Sequence, residues 1–108
     1  MKIAELFNVS GKVAIVTGGS RGIGEMIAAG FLANGVKVYI TARKEAALIE
    51  KAHELSETYA GECIPVPCDL STMDGMNDFV DFIQSKEEHI DFLINNAGAS
   101  WGEPYAEY

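Results

Sequence analysis

Three glycines, Gly18, Gly22 and Gly24, are spaced G-x-x-x-G-x-G directly after a run of apolar, mostly β-branched residues. Glycine lets a backbone turn sharply and come close to a ligand. Residues with helical apolar spacing follow the loop, and the first N–H groups of a helix attract phosphate. We therefore predict a pyrophosphate-binding loop, to which Ser20 adds a hydroxyl donor. The alternative is a plain glycine turn, and the spacing matches neither a P-loop NTPase nor the commonest dinucleotide fingerprint, G-x-G-x-x-G.

Strand and helix patterns alternate along the chain in the order βαβαβαβ. Strands are predicted over residues 12–17, 36–43, 63–66 and 90–95. The first strand is apolar on both faces, which is typical of a parallel sheet covered by helices on both sides. Proline cannot donate to a sheet ladder, so Pro65 and Pro67 place the third strand at an edge. With right-handed crossovers, this favours the strand order 3-2-1-4 and an α/β fold of the Rossmann-like, doubly wound type.

Apolar spacing also predicts the buried face of each helix. The expected buried positions are Ile23, Ile27 and Phe31 in the first helix, Leu48, Ala52, Leu55 and Tyr59 in the second, and Met76, Phe79, Val80 and Ile83 in the third. Gly35 and Gly61 are expected to end the first two helices. A start that resembles a capping box is expected from Ser71 to Asp74.

The fourth strand lies at the open edge of the predicted sheet, although Phe92, Leu93 and Ile94 are all apolar. An apolar strand favours a neighbour on its outer side, and doubly wound sheets usually have more than four strands. We therefore expect residues 1–108 to be the N-terminal portion of a single dinucleotide-binding domain. Its sheet would be incomplete at the C-terminal side.

The charge balance excludes several classes of partner. The 108 residues include eight Lys and Arg and 16 Asp and Glu, which gives a net charge of −8. A protein that binds a phosphate backbone needs a basic face, so neither nucleic acid nor a membrane surface is expected as a partner. No apolar run approaches the ~18 residues of a membrane span, and the N-terminus lacks a secretory signal. We expect a cytoplasmic protein.

Two cysteines, Cys63 and Cys68, lie five residues apart in a segment with the pattern of a strand. That spacing corresponds to about 16 Å along a strand, with the two side chains on opposite faces. The distance is too long for a disulfide, and no third Cys or His lies close enough in sequence for a metal site. We expect two free thiols in a reducing compartment and no bound metal.

Three motifs follow three of the predicted strands: Thr17–Gly24, Asp69-Leu70 and Asn95-Asn-Ala-Gly98. In this combination the chain resembles the short-chain dehydrogenase/reductase family, from about Gly11 onward. The segment Asn95–Gly102 most resembles 3-oxoacyl-[acyl-carrier-protein] reductases of the rhamnolipid-biosynthesis type.

The resemblance implies a cofactor role for each motif. The loop would bind the pyrophosphate, with the Ile23 backbone N–H as a donor. Asp69 would accept a hydrogen bond from the adenine amino group, and Leu70 would line the adenine pocket. The segment Asn96-Ala97-Gly98 would border the adenosine ribose and the path to the nicotinamide, whereas Thr17 and Asn95 would be structural. The alternative for Asp69 is a solvated loop carboxylate or a helix cap.

The region after the second strand bears on the choice of cofactor. Enzymes that prefer NAD usually carry an acid there, which binds the ribose 2′-hydroxyl. Here no acid occurs before Glu45, and Arg43 can instead form a fork to a 2′-phosphate. Arg21, the only other arginine, lies in the glycine loop. This favours NADP(H) over NAD, the alternative being two ordinary surface arginines. The predicted cofactor-binding residues are Gly18, Ser20, Arg21, Gly22, Ile23, Gly24, Arg43, Asp69, Leu70, Asn96, Ala97 and Gly98.

The family performs its chemistry with a Tyr-x-x-x-Lys pair, and none of the four tyrosines here is followed by lysine at that spacing. No catalytic residue is therefore assigned. The first hypothesis is an NADP(H)-dependent oxidoreductase, acting on a small carbonyl or alcohol, possibly a 3-oxoacyl thioester, as a homo-oligomer. The alternative is a dinucleotide-binding module without catalysis. A methyltransferase that uses S-adenosylmethionine is disfavoured by Arg43, where such enzymes commonly have an acid.

Overall fold

A computed structural model describes residues 9–20 and 22–96 of the chain. Four strands and three helices alternate along these residues, which confirms the predicted order. The elements are β1 (Val13–Thr17), α1 (Gly22–Ala33), β2 (Lys37–Ala42), α2 (Glu45–Thr58), β3 (Cys63–Pro67), α3 (Met73–Lys86) and β4 (Phe92–Asn95).

The four strands form one parallel sheet in the order β3-β2-β1-β4, as predicted. In this register Ile15 of β1 lies between Tyr39 of β2 and Leu93 of β4. The last residues of β1 and β4, Thr17 and Asn95, are directly paired. The carboxyl ends of the strands therefore meet at one edge, where ligands bind in open α/β sheets.

Helices cover both faces of the sheet. The larger apolar cluster includes buried residues of α1 and α2 on one face: Ala14, Val16, Ala28, Leu32, Val36, Val38, Ile40, Leu48, Ala52, Leu55 and Cys63. The smaller cluster lies under α3 on the other face: Val13, Ile15, Tyr39, Val66, Phe79 and Ile83. Stacked rings of Phe31 and Phe92, 5.0 Å between centroids, hold α1 over β4. The doubly wound arrangement is confirmed for these residues.

The buried face of α1 differs from the prediction. Ile23 is 68% exposed, and the helix instead buries a stripe one residue further along. That stripe consists of Gly24, Ala28 and Leu32. Two of its residues are small, so the helix backbone lies close to the loop and sheet, while Ile27 and Phe31 are half-buried beside the stripe. Hydropathy spacing missed this because glycine and alanine carry little apolar signal.

The second and third helices follow the predictions more closely. Leu48, Ala52 and Leu55 of α2 are buried as predicted. In α3 only Phe79 and Ile83 are buried, whereas Met76 and Val80 are exposed. The predicted face of α3 is therefore too wide.

The helix ends correct two further predictions. Gly35 has the expected positive φ of 78° after α1. Gly61 does not cap α2, which ends at Thr58. The C-cap residue is Tyr59, whose N–H bonds to the carbonyl of Leu55. The start of α3 is capped by Thr72, not Ser71, since the Thr72 Oγ1 accepts the Gly75 N–H at 3.0 Å.

Strand β3 is the edge strand that its prolines predicted. The backbone N–H and C=O groups of its even-numbered positions point toward β2, because Val38 donates to the Glu62 carbonyl and Cys68 donates to that of Ala42. The backbone groups of its odd-numbered residues therefore point away from β2, toward the open edge. At Cys63 the Ser56 hydroxyl accepts the N–H at 3.0 Å and lies 3.2 Å from the carbonyl oxygen. The other two outward positions are Pro65 and Pro67, which have no N–H.

Both cysteines are free, as predicted. Cys63 belongs to the larger apolar cluster and Cys68 packs against the smaller one, so they lie on opposite faces of the sheet. Burial raises the pKa of the Cys63 thiol to about 12. Because the thiolate is the reactive form, we expect this buried thiol to be unreactive.

The side chain of Tyr39 joins β2 to the end of α3. It is 1% exposed, and its hydroxyl donates to Glu87 Oε2 at 2.5 Å. The ammonium group of Lys37 lies 2.6 Å from the same oxygen. Lys37 and then Tyr39 lower the pKa of Glu87 through these hydrogen bonds, and the bond to Glu87 raises the pKa of Lys37.

This contact makes the stability of the fold dependent on pH. A carboxyl with a lowered pKa stabilises the fold above its unfolded pKa, and the contribution is lost as the pH falls through its folded pKa. We expect Glu87→Gln to lower the free energy of unfolding by ~1 kcal/mol at neutral pH. The difference from the unchanged chain should shrink as the pH falls below 4.5, the ordinary pKa of the group. Urea denaturation at a series of pH values measures this difference in the free energy of unfolding.

The control is Glu88→Gln, which neutralises the neighbouring exposed carboxyl. This variant should unfold like the unchanged chain throughout the acid range. A loss for Glu87→Gln that stays constant with pH would contradict the role given to this ion pair.

Candidate functional site

The glycine-rich loop connects β1 to α1 at the carboxyl edge of the sheet. Gly18 has a φ of 68°, a backbone conformation that side chains with a Cβ rarely adopt, and its N–H donates to the Thr41 carbonyl at 3.0 Å. The loop is thereby fixed to the end of β2 as well as to β1. Helix α1 begins at Gly22, so its first N–H groups and the positive end of its dipole lie at this loop.

Gly24 brings the first turn of α1 against two other segments of the site. A Cβ at this position would overlap the Gly18 carbonyl group and would lie 2.7 Å from Asn96 Nδ2. Only glycine therefore allows this packing. Two of the predicted cofactor segments, the loop and the residues after β4, are in direct contact here.

Thr17 links the ends of β1 and β4 through hydrogen bonds. Its side chain is buried, and its Oγ1 accepts the Asn96 N–H at 2.7 Å. The hydroxyl lies 3.1 Å from Asn95 Oδ1 and 3.4 Å from the Ile94 carbonyl oxygen. These bonds fix where Asn96 leaves the sheet. Thr17 and Asn95 hold the strand ends together, which is the structural role that the family resemblance implied.

Asp69 follows β3 and faces the end of β2. Its Oδ1 accepts the Ser71 N–H at 3.0 Å and the Ser71 hydroxyl at 2.5 Å. These two bonds, and then the positive charge of Arg43, lower the pKa of the Asp69 carboxyl. Arg43 itself is exposed and directly follows β2. The edge thus holds an ionised carboxylate and a guanidinium on neighbouring strand ends.

The structure brings together most of the predicted site residues that it describes. Ser20 and Leu70 are half-buried, and Ile23 is exposed at the start of α1. Three further predicted residues lie outside the described part of the chain: Arg21, Ala97 and Gly98. Asp69 does not cap α3, because Thr72 does, so the helix cap is wrong as an alternative role for Asp69, and the solvated loop carboxylate stays an alternative.

The arrangement fits the phosphates of a dinucleotide. A Cβ at Gly22 would meet no described atom within 4 Å, so open space lies over the loop at the start of α1. The N-terminus of α1 and the tightly packed glycine backbone lie beside that space, and both are features that bind phosphate.

Residues 9–20 and 22–96 offer neither a metal site nor a membrane-spanning helix. These residues contain no cluster of three or more His, Cys, Asp or Glu that could hold a metal ion. None of their helices has the length and apolar character to cross a membrane.

Known proteins share this loop, its helix and the rest of the sheet. A family model described as short chain dehydrogenase matches residues 12–108. The chain belongs to this family. The resemblance stated from the sequence motifs is thereby confirmed.

Among its short-chain dehydrogenase relatives is the rhamnolipids biosynthesis 3-oxoacyl-[acyl-carrier-protein] reductase of Pseudomonas aeruginosa. The two are 42% identical over 102 residues, which cover 94% of this chain and 39% of the relative. The chain therefore spans less than half the length of this relative. The predicted similarity to reductases of this type is confirmed.

Two solved structures have the same fold. The RhlG/NADP active-site complex of Pseudomonas aeruginosa matches with a TM-score of 0.79 at 42% identity, over 85% of this chain and 36% of that one. The L-sorbose reductase of Gluconobacter frateurii, complexed with NADPH and L-sorbose, matches with a TM-score of 0.82 at 37% identity. That match covers 94% of this chain and 38% of the reductase.

Two residues of this short-chain dehydrogenase chain were missed by the sequence reasoning. Ser71 holds the Asp69 carboxylate, and its position two residues after an aspartate is the spacing of an Asx turn, a signal that could have been used. Asp91 accepts the Val13 N–H on its Oδ2 at 2.9 Å and so fixes the register of β4 against β1. No local pattern indicates that second contact, because its two residues are far apart in sequence.

Proposed function

We propose that this short-chain dehydrogenase is an NADP(H)-dependent oxidoreductase, and that the present chain supplies the residues that bind the adenosine 2′-phosphate and the pyrophosphate. The observation that carries the proposal is Arg43. It directly follows β2 and is close enough to Asp69 to lower the pKa of that carboxyl. The stretch between β2 and α2 contains no acidic residue that could bind a free 2′-hydroxyl. A guanidinium at this place suits a phosphate monoester.

Residues at the ends of different strands are assigned to different groups of the dinucleotide. We assign the pyrophosphate to the Gly18–Gly24 backbone and the Ile23 N–H, where the helix dipole favours negative charge. Asp69 receives the adenine amino group, and half-buried Leu70 supplies apolar contact for the base. Asn96, fixed by the Thr17 hydroxyl, borders the ribose. The predicted roles of Ser20, Arg21, Ala97 and Gly98 belong to the same proposal.

The nicotinamide cofactor supplies a hydride, and the protein supplies binding and orientation. The relatives favour a carbonyl or alcohol substrate, although their names give different ones. One is a 3-oxoacyl-[acyl-carrier-protein] reductase, and another is complexed with L-sorbose. We propose a small carbonyl substrate, with a 3-oxoacyl thioester as the first to assay. The cytoplasmic location and the homo-oligomeric state remain predictions from the sequence.

A second candidate function is dinucleotide binding without catalysis. It requires only the proposed cofactor-binding residues and no catalytic pair. The two candidates share the cofactor site and differ in turnover. Oxidation of NADPH by a 3-oxoacyl thioester, followed by absorbance, distinguishes them.

The cofactor assignment is tested by titrating the chain with NADPH and with NADH in a calorimeter. The 2′-phosphate adds a charge-assisted pair with Arg43, so we expect NADPH to bind at least about tenfold more tightly. Raising the salt concentration should reduce this preference, because the contact is ionic. Equal affinities, or tighter binding of NADH, would overturn the proposal of NADP(H).

A further inference from the structure

The two oxygens of the Asp69 carboxylate have different surroundings. Oδ1 accepts both hydrogen bonds from Ser71, from its N–H at 3.0 Å and from its hydroxyl at 2.5 Å. No residue of the described chain donates a hydrogen bond to Oδ2. One oxygen is thus fully engaged within the turn, and the other is available to a ligand.

The backbone of Asp69 is fixed independently of its side chain. Its carbonyl oxygen accepts the Thr72 N–H at 3.3 Å and lies 3.2 Å from the Thr72 hydroxyl. Gly75 packs so closely on this carbonyl that a Cβ there would overlap it. Because contacts with the start of α3 fix the Asp69 backbone, only the side chain of Asp69 can still rotate. The hydrogen bonds from Ser71 restrict that rotation.

The charged and titratable groups around Asp69 favour its ionised form. Ser71 lowers the pKa of the carboxyl most, and Arg43 at the end of β2 lowers it further. Cys68 precedes it, and burial together with the Asp69 charge raises the pKa of that thiol. The neighbouring thiol is therefore neutral when the carboxylate is charged.

We propose that Ser71 is a positioning residue for base recognition: by holding Oδ1, it directs Oδ2 of Asp69 toward the 6-amino group of the adenine. This inference rests on the proposed function, which gives Asp69 the adenine. A carboxylate fixed in this way accepts from an amino group without first losing rotational freedom on binding. It also opposes a base that presents an acceptor at position 6.

The test compares NADP⁺ with its deaminated analogue, in which hypoxanthine carries a 6-oxo group in place of the amino group. Binding of both to the full chain is measured by calorimetry. We expect the unchanged chain to favour adenine by about tenfold, the value of one charge-assisted hydrogen bond. In Ser71→Ala this ratio should fall below about threefold, while Ser71→Thr, which keeps the hydroxyl, should retain it.

Ser85→Ala is the matched control, because Ser85 is also exposed and bonds only to a backbone carbonyl of α3. It should leave the ratio unchanged, and thermal unfolding should show Ser71→Ala and Ser85→Ala to be equally folded. A second readout is the pH at which the adenine preference disappears. It should be higher in Ser71→Ala, because the carboxyl loses the hydroxyl bond, the largest cause of its lowered pKa, and keeps only the bond from the backbone N–H.

The outcomes separate this inference from the proposed function. A Ser71→Ala chain that keeps the full adenine preference would overturn the positioning role and leave Asp69 in place. An unchanged chain without preference, or an Asp69→Asn chain that keeps it, would overturn the assignment of adenine to Asp69 and the positioning role with it. The NADPH and NADH titration is independent of both.

Discussion

Gly24→Ala is expected to abolish dinucleotide binding and to lower the free energy of unfolding by about 1–3 kcal/mol. The added methyl group would overlap the carbonyl of Gly18 and crowd the side-chain amide of Asn96. Both neighbours belong to the proposed pyrophosphate and ribose site, and backbone cannot move aside as the end of a long side chain can. The first turn of α1 must therefore shift away from the loop, which displaces the N–H groups that would bind phosphate.

Gly30→Ala is the matched control for this variant. Gly30 lies in the same helix, is exposed, and would have no described atom within 4 Å of an added Cβ. Because alanine favours the helix by about 1 kcal/mol over glycine, this variant should be more stable and should bind NADPH normally. Chemical denaturation and calorimetric titration of both variants make the comparison. Normal NADPH binding by Gly24→Ala would contradict the site described here.

Arg43→Asp is expected to reverse the cofactor preference. Removing the guanidinium eliminates one charge-assisted contact with the 2′-phosphate, worth about 1.5–3 kcal/mol, or roughly a 10- to 100-fold loss of NADPH affinity. The new carboxylate repels the phosphate but can accept hydrogen bonds from the free ribose hydroxyls of NADH. NADH affinity should therefore be unchanged or increased. Calorimetric titration of the variant with both cofactors measures the reversal.

Lys12→Asp has the same change in net charge and serves as the control. Lys12 is exposed and immediately precedes β1, so it lies at the opposite end of the sheet from the proposed site. At physiological ionic strength, exposed charges separated by more than about 8 Å are largely screened. This variant should keep the preference for NADPH. An equal loss in both variants would show that Arg43 acts only through the overall charge.

The topology could be predicted because simple physical rules apply to it. A strand apolar on both faces requires helices on both sides of the sheet, and two prolines in one short strand exclude a central position. The buried stripe of α1 could not be predicted in the same way. Gly24 and Ala28 are buried because they are small enough for close packing, and apolar periodicity does not report size.

The candidate site was predictable where the backbone determines it and less so where side chains do. The glycine spacing indicated the loop, because positive φ and close packing leave little choice of residue. The Thr17 hydroxyl that joins the ends of β1 and β4, and the Ser71 bonds to Asp69, depend on side-chain rotation after folding. For Thr17 the partner lies 79 positions away, and no local pattern reaches that far.

The two edges of the sheet differ in their capacity to recruit a strand from another molecule. Cross-β growth requires N–H donors at every second residue of the exposed edge. On β3 these positions are Cys63, whose N–H is already bonded to Ser56, and two prolines that have none. The open edge of β3 therefore offers no N–H donor to the strand of another molecule. The proline-rich edge protects the described sheet from aggregation on this side and limits strand recruitment to β4.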